Sequence, residues 1–162
     1  MNPPVCTSGI LLRTPRQTLR VAPPRIKLRG DAIIPEPWMG VDPPVNGIRV
    51  VVDAVAGGGG FDVTLPGGPA WTTGHKRWTY RDALGSVAGI VKAVVQDRSA
   101  RQAGLVRVIV KGRNATLVLP DPAHVRTTVV VGTATECASI VWNGPGGASP
   151  RCAGSATKLV CR

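Results

Sequence analysis

The chain has 162 residues and a formal net charge of +11, with 20 glycines, 15 prolines and 4% aromatic residues. This length suits one domain with a hydrophobic core, or a domain with a tail. So many helix-breaking residues exclude long uninterrupted helices, and valine-rich runs spaced by glycine and proline are typical of all-β proteins. No apolar run approaches the length of a transmembrane helix. The charge predicts attraction to polyanions, which by itself is non-specific.

The chain begins with a segment that lacks any regular pattern. Residues 1–24 are basic and interrupted by prolines, so the sequence predicts an irregular arm or linker there, followed by a β-sandwich domain at 25–162. Residues 25–29 alternate basic and apolar side chains, which predicts the first strand of the domain. Gly30 and Asp31 are expected to end that strand, because both residue types favour turns.

Two hairpins are predicted in the middle of the chain. Residues 48–55 and 61–65 have alternating apolar positions on either side of a glycine loop, which is typical of an antiparallel hairpin. Residues 87–96 and 104–111 form a second, more strongly patterned pair around the polar connector 97–103. This central hairpin is the strongest structural signal in the sequence.

The first strand of the central hairpin is expected to have two different faces, because side chains on a strand alternate with period two. Val91, Ala93 and Val95 then make an apolar face, and Ile90 and Lys92 belong to a mixed face on the other side.

The last part of the chain predicts four further strands. Residues 115–119 and 127–133 supply two of them, and 138–142 with 157–161 are expected to form the last hairpin across a loop rich in Gly, Pro and Ser. The total is about eight or nine short strands with turn signals between them. This pattern predicts an all-β fold, an antiparallel β-sandwich of the Ig-like or jelly-roll-like kind.

Several of these features occur together in a recognisable order from about Pro24 to the end of the chain. They are the strand at 25–30, residues 47–52, Leu65-Pro66 with Trp71, the segment Trp78-Thr-Tyr80-Arg-Asp82, the hairpin 87–112 and the closing TKLVCR. In combination they resemble an uncharacterised domain that recurs at the C-termini of bacterial secreted and cell-surface proteins. The resemblance implies an extracellular all-β module, often attached to other domains, and it transfers no catalytic residues.

The cysteines predict disulfides and an oxidising compartment. Cys6, Cys137, Cys152 and Cys161 are even in number and lack the spacings of zinc sites. The predicted final hairpin favours Cys137 with Cys161 and Cys6 with Cys152, and the pair Cys137–Cys152 is the alternative. The expected location is extracellular or at the cell surface. Because the N-terminal segment lacks a signal peptide, the chain is expected to be a piece of a longer secreted protein, or to have its true start upstream.

Two groups of residues are candidates for ligand contact. Trp71, Trp78 and Tyr80 would make a platform for sugar rings if exposed, although large aromatics are also natural fillers of a thin valine core, and that interpretation is favoured. The second group is basic and lies on or near the central hairpin: Lys92, Arg98, Arg101, Arg107, Lys111 and Arg113. Such a patch would bind polyanions, whereas the favoured alternative is a solvated face kept basic to discourage edge pairing. The Arg-rich, Lys-poor composition is also what a GC-rich genome produces.

No catalytic, metal-binding or cofactor-binding motif accompanies these groups. The two histidines are far apart, and the aspartates are scattered without a pairing pattern. We therefore expect a non-catalytic secreted or cell-surface module with a structural or interaction role, with no cofactor, no bound metal and no specific nucleic-acid partner. Its partner would be another surface protein. The alternative is a binder of carbohydrate or anionic polymer, and a hydrolase is the least favoured class.

Overall fold

The computed structural model describes residues 6, 9–11, 18–22, 25–55, 60–115, 118–133, 136–142, 151–155 and 157–162. The fold is all-β, as predicted, but the described residues contain thirteen strands rather than eight or nine. The strands are β1 (Ile10–Leu11), β2 (Thr18–Ala22), β3 (Arg25–Ile33), β4 (Ile48–Ala54), β5 (Gly60–Leu65), β6 (Trp71–Gly74), β7 (Arg77–Arg81), β8 (Ile90–Asp97), β9 (Leu105–Gly112), β10 (Val125–Val130), β11 (Cys137–Val141), β12 (Cys152–Ser155) and β13 (Lys158–Cys161). One helical turn, α1 (Pro43–Asn46), and one 3₁₀ turn (Pro122–His124) complete the elements. Among these residues no helix is long and apolar enough to cross a membrane.

The strands are arranged around β3. On one edge of β3 lie β9, β8, β7 and β6 in that order, and we call these five strands the first half-sheet. The other edge of β3 is shared, because β2 pairs with its first part and β1 with its last part. β1 continues into β11, β10, β4 and β5, the second half-sheet, while β2 continues into β13 and β12. Every pairing between named strands is antiparallel except that of β1 with β11.

A single hydrophobic core is shared by the two half-sheets. Buried valines of β9 and buried residues of β4 belong to the same cluster, together with side chains from β3, β5, β7, β8, β10, β11 and β13. Trp142 and Ile34 are the largest of the fully buried side chains.

Both predicted hairpins are confirmed, as β4–β5 and β8–β9. The predicted faces of β8 need a correction near its start. Ile90 pairs with Gly112 and Lys92 pairs with Lys111, so Val91 is an extra residue that forms a β-bulge. The bulge shifts the alternation by one residue, which places Ile90 in the core with Ala93.

The structure also differs from the sequence-based expectation near the N-terminus. β3 continues through Gly30 and Asp31, because Asp31 forms an ion pair with Arg107 of β9 and so tolerates a position inside the sheet. Within the segment predicted to be irregular, β1 and β2 are extended and complete the hydrogen bonding of β3. The division into an arm and a domain at residue 25 stays a prediction.

The predicted C-terminal hairpin and cysteine pairing are wrong. β11 pairs with β10 and β1, and β13 pairs with β12 and β2, so 138–142 and 157–161 are not partners. Cys152 lies directly opposite Cys161 in the β12–β13 hairpin and is bonded to it, and the other disulfide joins Cys6 to Cys137. The preferred pairing and its alternative both fail, because neither included strand β12.

The strand expected at 115–119 is not among the named strands. Residues 116 and 117 lie outside the described part of the chain, and Val118 makes one isolated bridge to Gly60.

Candidate anion-binding groove

A groove with a volume of about 1060 Å³ lies on the first half-sheet and reaches β13. Seven of its eleven lining residues are cations: Arg25, Lys27, Arg81, Lys92, Lys111, Arg113 and Lys158. The four others are Ile26, Ala83, Val91 and Gly112, so the lining contributed by described residues contains no carboxylate. We call this feature the basic groove. Its net positive charge makes it the strongest candidate for a binding site.

Four of these cations form a row across four neighbouring strands, which we call the basic row. Lys27 of β3 is directly opposite Lys111 of β9, and Lys111 is in turn directly opposite Lys92 of β8. Lys92 is directly opposite Arg81 of β7. Side chains at such positions lie about 5 Å apart at Cβ, and like charges directly opposite each other are destabilising. The basic row therefore opposes folding unless anions neutralise it.

At other positions in the sheet the protein places aspartate against arginine on a neighbouring strand. Three ion pairs do so: Arg107–Asp31 (2.6 Å between Nε and Oδ1), Arg49–Asp62 (2.8 Å) and Arg126–Asp53 (3.0 Å). Burial works to raise the pKa of Asp31, but the hydrogen bond and charge of Arg107 outweigh it, and the pKa lies below its ordinary value. Ion pairs between neighbouring strands thus occur in this fold, but the described residues that line the basic groove form none.

The acidic residue next to the basic row in sequence, Asp82, is engaged in its own loop. Its carboxylate accepts hydrogen bonds from the backbone N–H of Ser86 at 2.6 Å and of Leu84 at 3.0 Å. The bond from Ser86 is the largest reason that the pKa of Asp82 lies below its ordinary value. Asp82 follows Arg81 directly but does not line the groove.

The basic groove is rich in lysine, although the chain as a whole is rich in arginine. Arginine outnumbers lysine three to one, yet four of the five lysines in the sequence line this groove. A composition driven by a GC-rich genome favours arginine, so it does not explain the lysines. Lysine presents a compact charge on a flexible stem, which suits recognition of charge more than the fixed two-pronged geometry of arginine.

The β-bulge at Val91 contributes directly to the groove. Because Val91 is the extra residue, Lys92 faces away from the core although Ile90, two positions earlier, is buried in it. Without the bulge the side chain of Lys92 would share the core face with Ile90. Bulges are enriched next to functional sites, where they redirect a side chain.

Protection of a sheet edge does not account for the basic row. Its four residues belong to β3, β9, β8 and β7, and each of these strands is paired along both edges. Charges that discourage edge-to-edge association are useful on strands with a free edge. Edge protection, the favoured interpretation from the sequence, therefore does not explain Lys92 and Lys111, the two residues of the row to which it was applied.

The predicted basic patch is only partly reproduced in the groove. Lys92, Lys111 and Arg113 line it, whereas Arg98, Arg101 and Arg107 do not. Arg98 and Arg101 lie in the connector at the opposite end of the β8–β9 hairpin, and Arg107 is bonded to Asp31. The prediction missed four contributors: Arg25, Lys27, Arg81 and Lys158. The alternation of Arg25 and Lys27 with Ile26 was the available signal for two of them.

The predicted aromatic platform lies elsewhere. Trp71 and Tyr80 are buried and contact each other in a T-shaped, edge-to-face arrangement, with ring centroids 5.4 Å apart. Trp71 Nε1 also donates a hydrogen bond to the carbonyl of Pro66 at 2.8 Å. Trp78 is partly buried against the same core, and none of the three lines the basic groove. Buried rings offer no open face for a sugar to stack on.

No group of three His, Cys, Asp or Glu side chains in the described part of the chain is arranged to hold a metal ion. All four cysteines are held in disulfides. Comparison with known proteins finds no matching family model, no matching curated protein and no matching solved structure. The function is therefore inferred from the residues of the groove.

Proposed function

We propose that this protein is a non-catalytic β-sandwich, secreted or exposed at the cell surface, that binds polyanions through the basic groove. The observation that carries the proposal is the basic row, in which Lys27, Lys111, Lys92 and Arg81 are directly opposite one another on four paired strands. An Ig-like or jelly-roll-like sandwich is supported by the single core that the two half-sheets share.

The energetic basis is the repulsion within the row. A polyanion that lies along it neutralises the cations together and releases their counterions, so binding removes a cost that the free protein carries. Natural proteins often give up stability at the sites that they use. The basic groove is consistent with such a loss of stability. A single substitution in the row would relieve the repulsion, yet the chain keeps a cation at all four positions.

The proposed location is supported by the two disulfides. Bonds between Cys6 and Cys137 and between Cys152 and Cys161 suggest an oxidising environment. Export to the cell exterior is proposed on this basis. There the protein would meet anionic polymers of the surrounding matrix and surface.

The experiment compares two charge reversals that give the same net charge. Lys111→Glu changes the centre of the basic row, and Arg77→Glu changes an exposed residue of β7 outside the groove. Arg77 is four residues from Arg81, about 13 Å away along the strand. The dissociation constant for fluorescent heparin is measured for wild type and both variants at several salt concentrations.

We expect Lys111→Glu to weaken heparin binding by about tenfold and to reduce its salt dependence. The reason is that one contact between a cation and a sulfate group is lost and replaced by repulsion. Arg77→Glu should remain close to wild type. Equal weakening by the two variants would mean that heparin responds only to net charge, and the proposed site would be rejected.

A further inference from the structure

The basic groove has a regular geometry that points to one class of polyanion. We infer that its ligand is a linear anionic polysaccharide with a carboxylate on every sugar, a polyuronate, which lies across the strands along the basic row. The inference rests on the proposed polyanion-binding function and adds the chemistry and the direction of the ligand.

The cations of the basic row are regularly spaced. The basic row has one cation per strand, and neighbouring strands are about 4.8 Å apart, so Lys27 and Arg81 are separated by about 14 Å. In a 1,4-linked polyuronate the carboxylate recurs once per pyranose ring, and one ring advances the chain by nearly the same distance as one strand spacing. Successive carboxylates can then meet successive cations.

Further cations lie beside the basic row. Arg25 lies two positions before Lys27 on β3, and Arg113 follows β9 two positions after Lys111. Two positions along a strand correspond to about 6.6 Å, so these arginines make a second, shorter line beside the row. Lys158 of β13 belongs to the same end of the groove. An extended chain that enters there has cations on both of its sides at this end of the groove.

The described residues that line the groove differ from those of a site for single-stranded nucleic acid. None of them is aromatic, and single-stranded nucleic acids depend on aromatic side chains on which the bases stack. The apolar contributors are small or aliphatic, including Ala83 and Val91, and they offer surface for the C–H groups of sugar rings. Lysine supplies three of the four cations in the row, and its point charge on a flexible stem suits a polymer that can shift along the row.

The test uses oligogalacturonates of increasing length, with calorimetry or competition against fluorescent heparin. Affinity should rise with each sugar until the tetramer fills the four positions of the basic row, and should level off beyond it. The tetramer should bind about tenfold more tightly than a hyaluronate oligomer with the same number of carboxylates, because hyaluronate has one only on every second sugar. Lys111→Glu should remove this preference, and Arg77→Glu should retain it.

Other outcomes distinguish a failure of the polyuronate inference from a failure of the proposed polyanion binding. Equal affinities for the galacturonate and hyaluronate oligomers, with Lys111→Glu still weaker than Arg77→Glu, would overturn the polyuronate inference and leave polyanion binding in place. Tighter binding of a single-stranded oligodeoxynucleotide of matched charge, lost in Lys111→Glu, would assign the groove to nucleic acid instead. Failure of every probe to distinguish Lys111→Glu from Arg77→Glu would reject the groove as a binding site.

Discussion

Lys92 and Lys111 are directly opposite each other on β8 and β9, and Lys27 faces Lys111 from the other side. Lys111 therefore has a like charge on both neighbouring strands. This relationship predicts that a charge reversal at Lys111 weakens polyanion binding and at the same time raises stability. Disruption of an ordinary surface salt bridge would not raise stability.

We expect Lys111→Glu to raise the free energy of unfolding by about 0.5–1 kcal/mol, because two repulsive cross-strand contacts become attractive. Urea denaturation at low salt measures the change, and the difference from wild type should shrink as salt screens the charges. Arg77→Glu is the matched control, since Arg77 is opposite the uncharged Gln96 and Gly74. A loss of stability in Lys111→Glu would show that the row does not oppose folding.

Arg107 is predicted to be structural, although it belongs to the basic patch expected from the sequence. Its guanidinium holds Asp31 with two hydrogen bonds, and both side chains are only 12% exposed. Arg107→Glu should lower the free energy of unfolding by about 3 kcal/mol, because it removes the guanidinium bonded to the Asp31 carboxylate and puts a second carboxylate beside it. Thermal unfolding of Arg107→Glu and of the exchanged pair Asp31→Arg/Arg107→Asp tests this. The exchange should recover part of the loss, and no recovery would contradict the assignment.

Glu136 is predicted to make the fold sensitive to acid. Burial works to raise the pKa of this carboxyl, but hydrogen bonds from the backbone N–H groups of Thr133, Gly40 and Met39 outweigh it and hold the pKa below its ordinary value. The folded state thus binds its proton more weakly than the unfolded chain. The stabilisation is complete above the unfolded pKa of about 4.3 and is lost as pH falls through the lower folded pKa.

Glu136→Gln should therefore lower stability by about 2 kcal/mol at neutral pH, since the amide –NH₂ faces a backbone donor, and should flatten the acid dependence. Urea denaturation from neutral pH downward gives both quantities. Asp42→Asn is the control, because Asp42 is exposed and its side chain makes no capping hydrogen bond. An unchanged pH profile in Glu136→Gln would contradict the role given to this carboxylate.

The two disulfides are predicted to differ in their contribution to stability. Their sequence separations are 131 residues for Cys6–Cys137 and 9 for Cys152–Cys161. In the chain-entropy model these loops correspond to about 5 and about 2.6 kcal/mol. The paired serine variants of each disulfide, compared by urea denaturation, should show the larger loss for Cys6→Ser/Cys137→Ser. Non-reducing peptide mapping of the wild type checks the connectivity, and a peptide joining Cys137 to Cys161 would refute it.

Local patterns in the sequence were sufficient for the β4–β5 and β8–β9 hairpins. Both depend on alternation within short runs and on a turn between neighbours in sequence, which are properties that a single stretch of chain contains. The short strand β12, Cys152–Ser155, contains no such run, and without it the cysteines were paired through the wrong hairpin. β1 has only two residues and is extended because β3 and β11 flank it.

The basic row could not be predicted from the sequence, for a different reason. Lys27, Lys92 and Lys111 lie on strands that are distant in sequence or displaced by the bulge at Val91, and only the register of each pairing places them opposite one another. A shift of one residue would turn any of these side chains to the other face of the sheet. The sequence therefore indicated basic strands, and the tertiary pairing decided which charges meet.

β1 also determines when the strand pairing of the sheet can be completed during folding. It joins β3 to β11, so strands from near the beginning and near the end of the chain must come together before the two half-sheets are hydrogen-bonded along this path. Contacts between such distant residues are slow to form. A chain emerging from the ribosome or through a translocation pore would present β1 and its partner β3 long before β11 exists. Completion of the sheet is thus an event that follows synthesis, and the bond from Cys6 to Cys137 locks it afterwards.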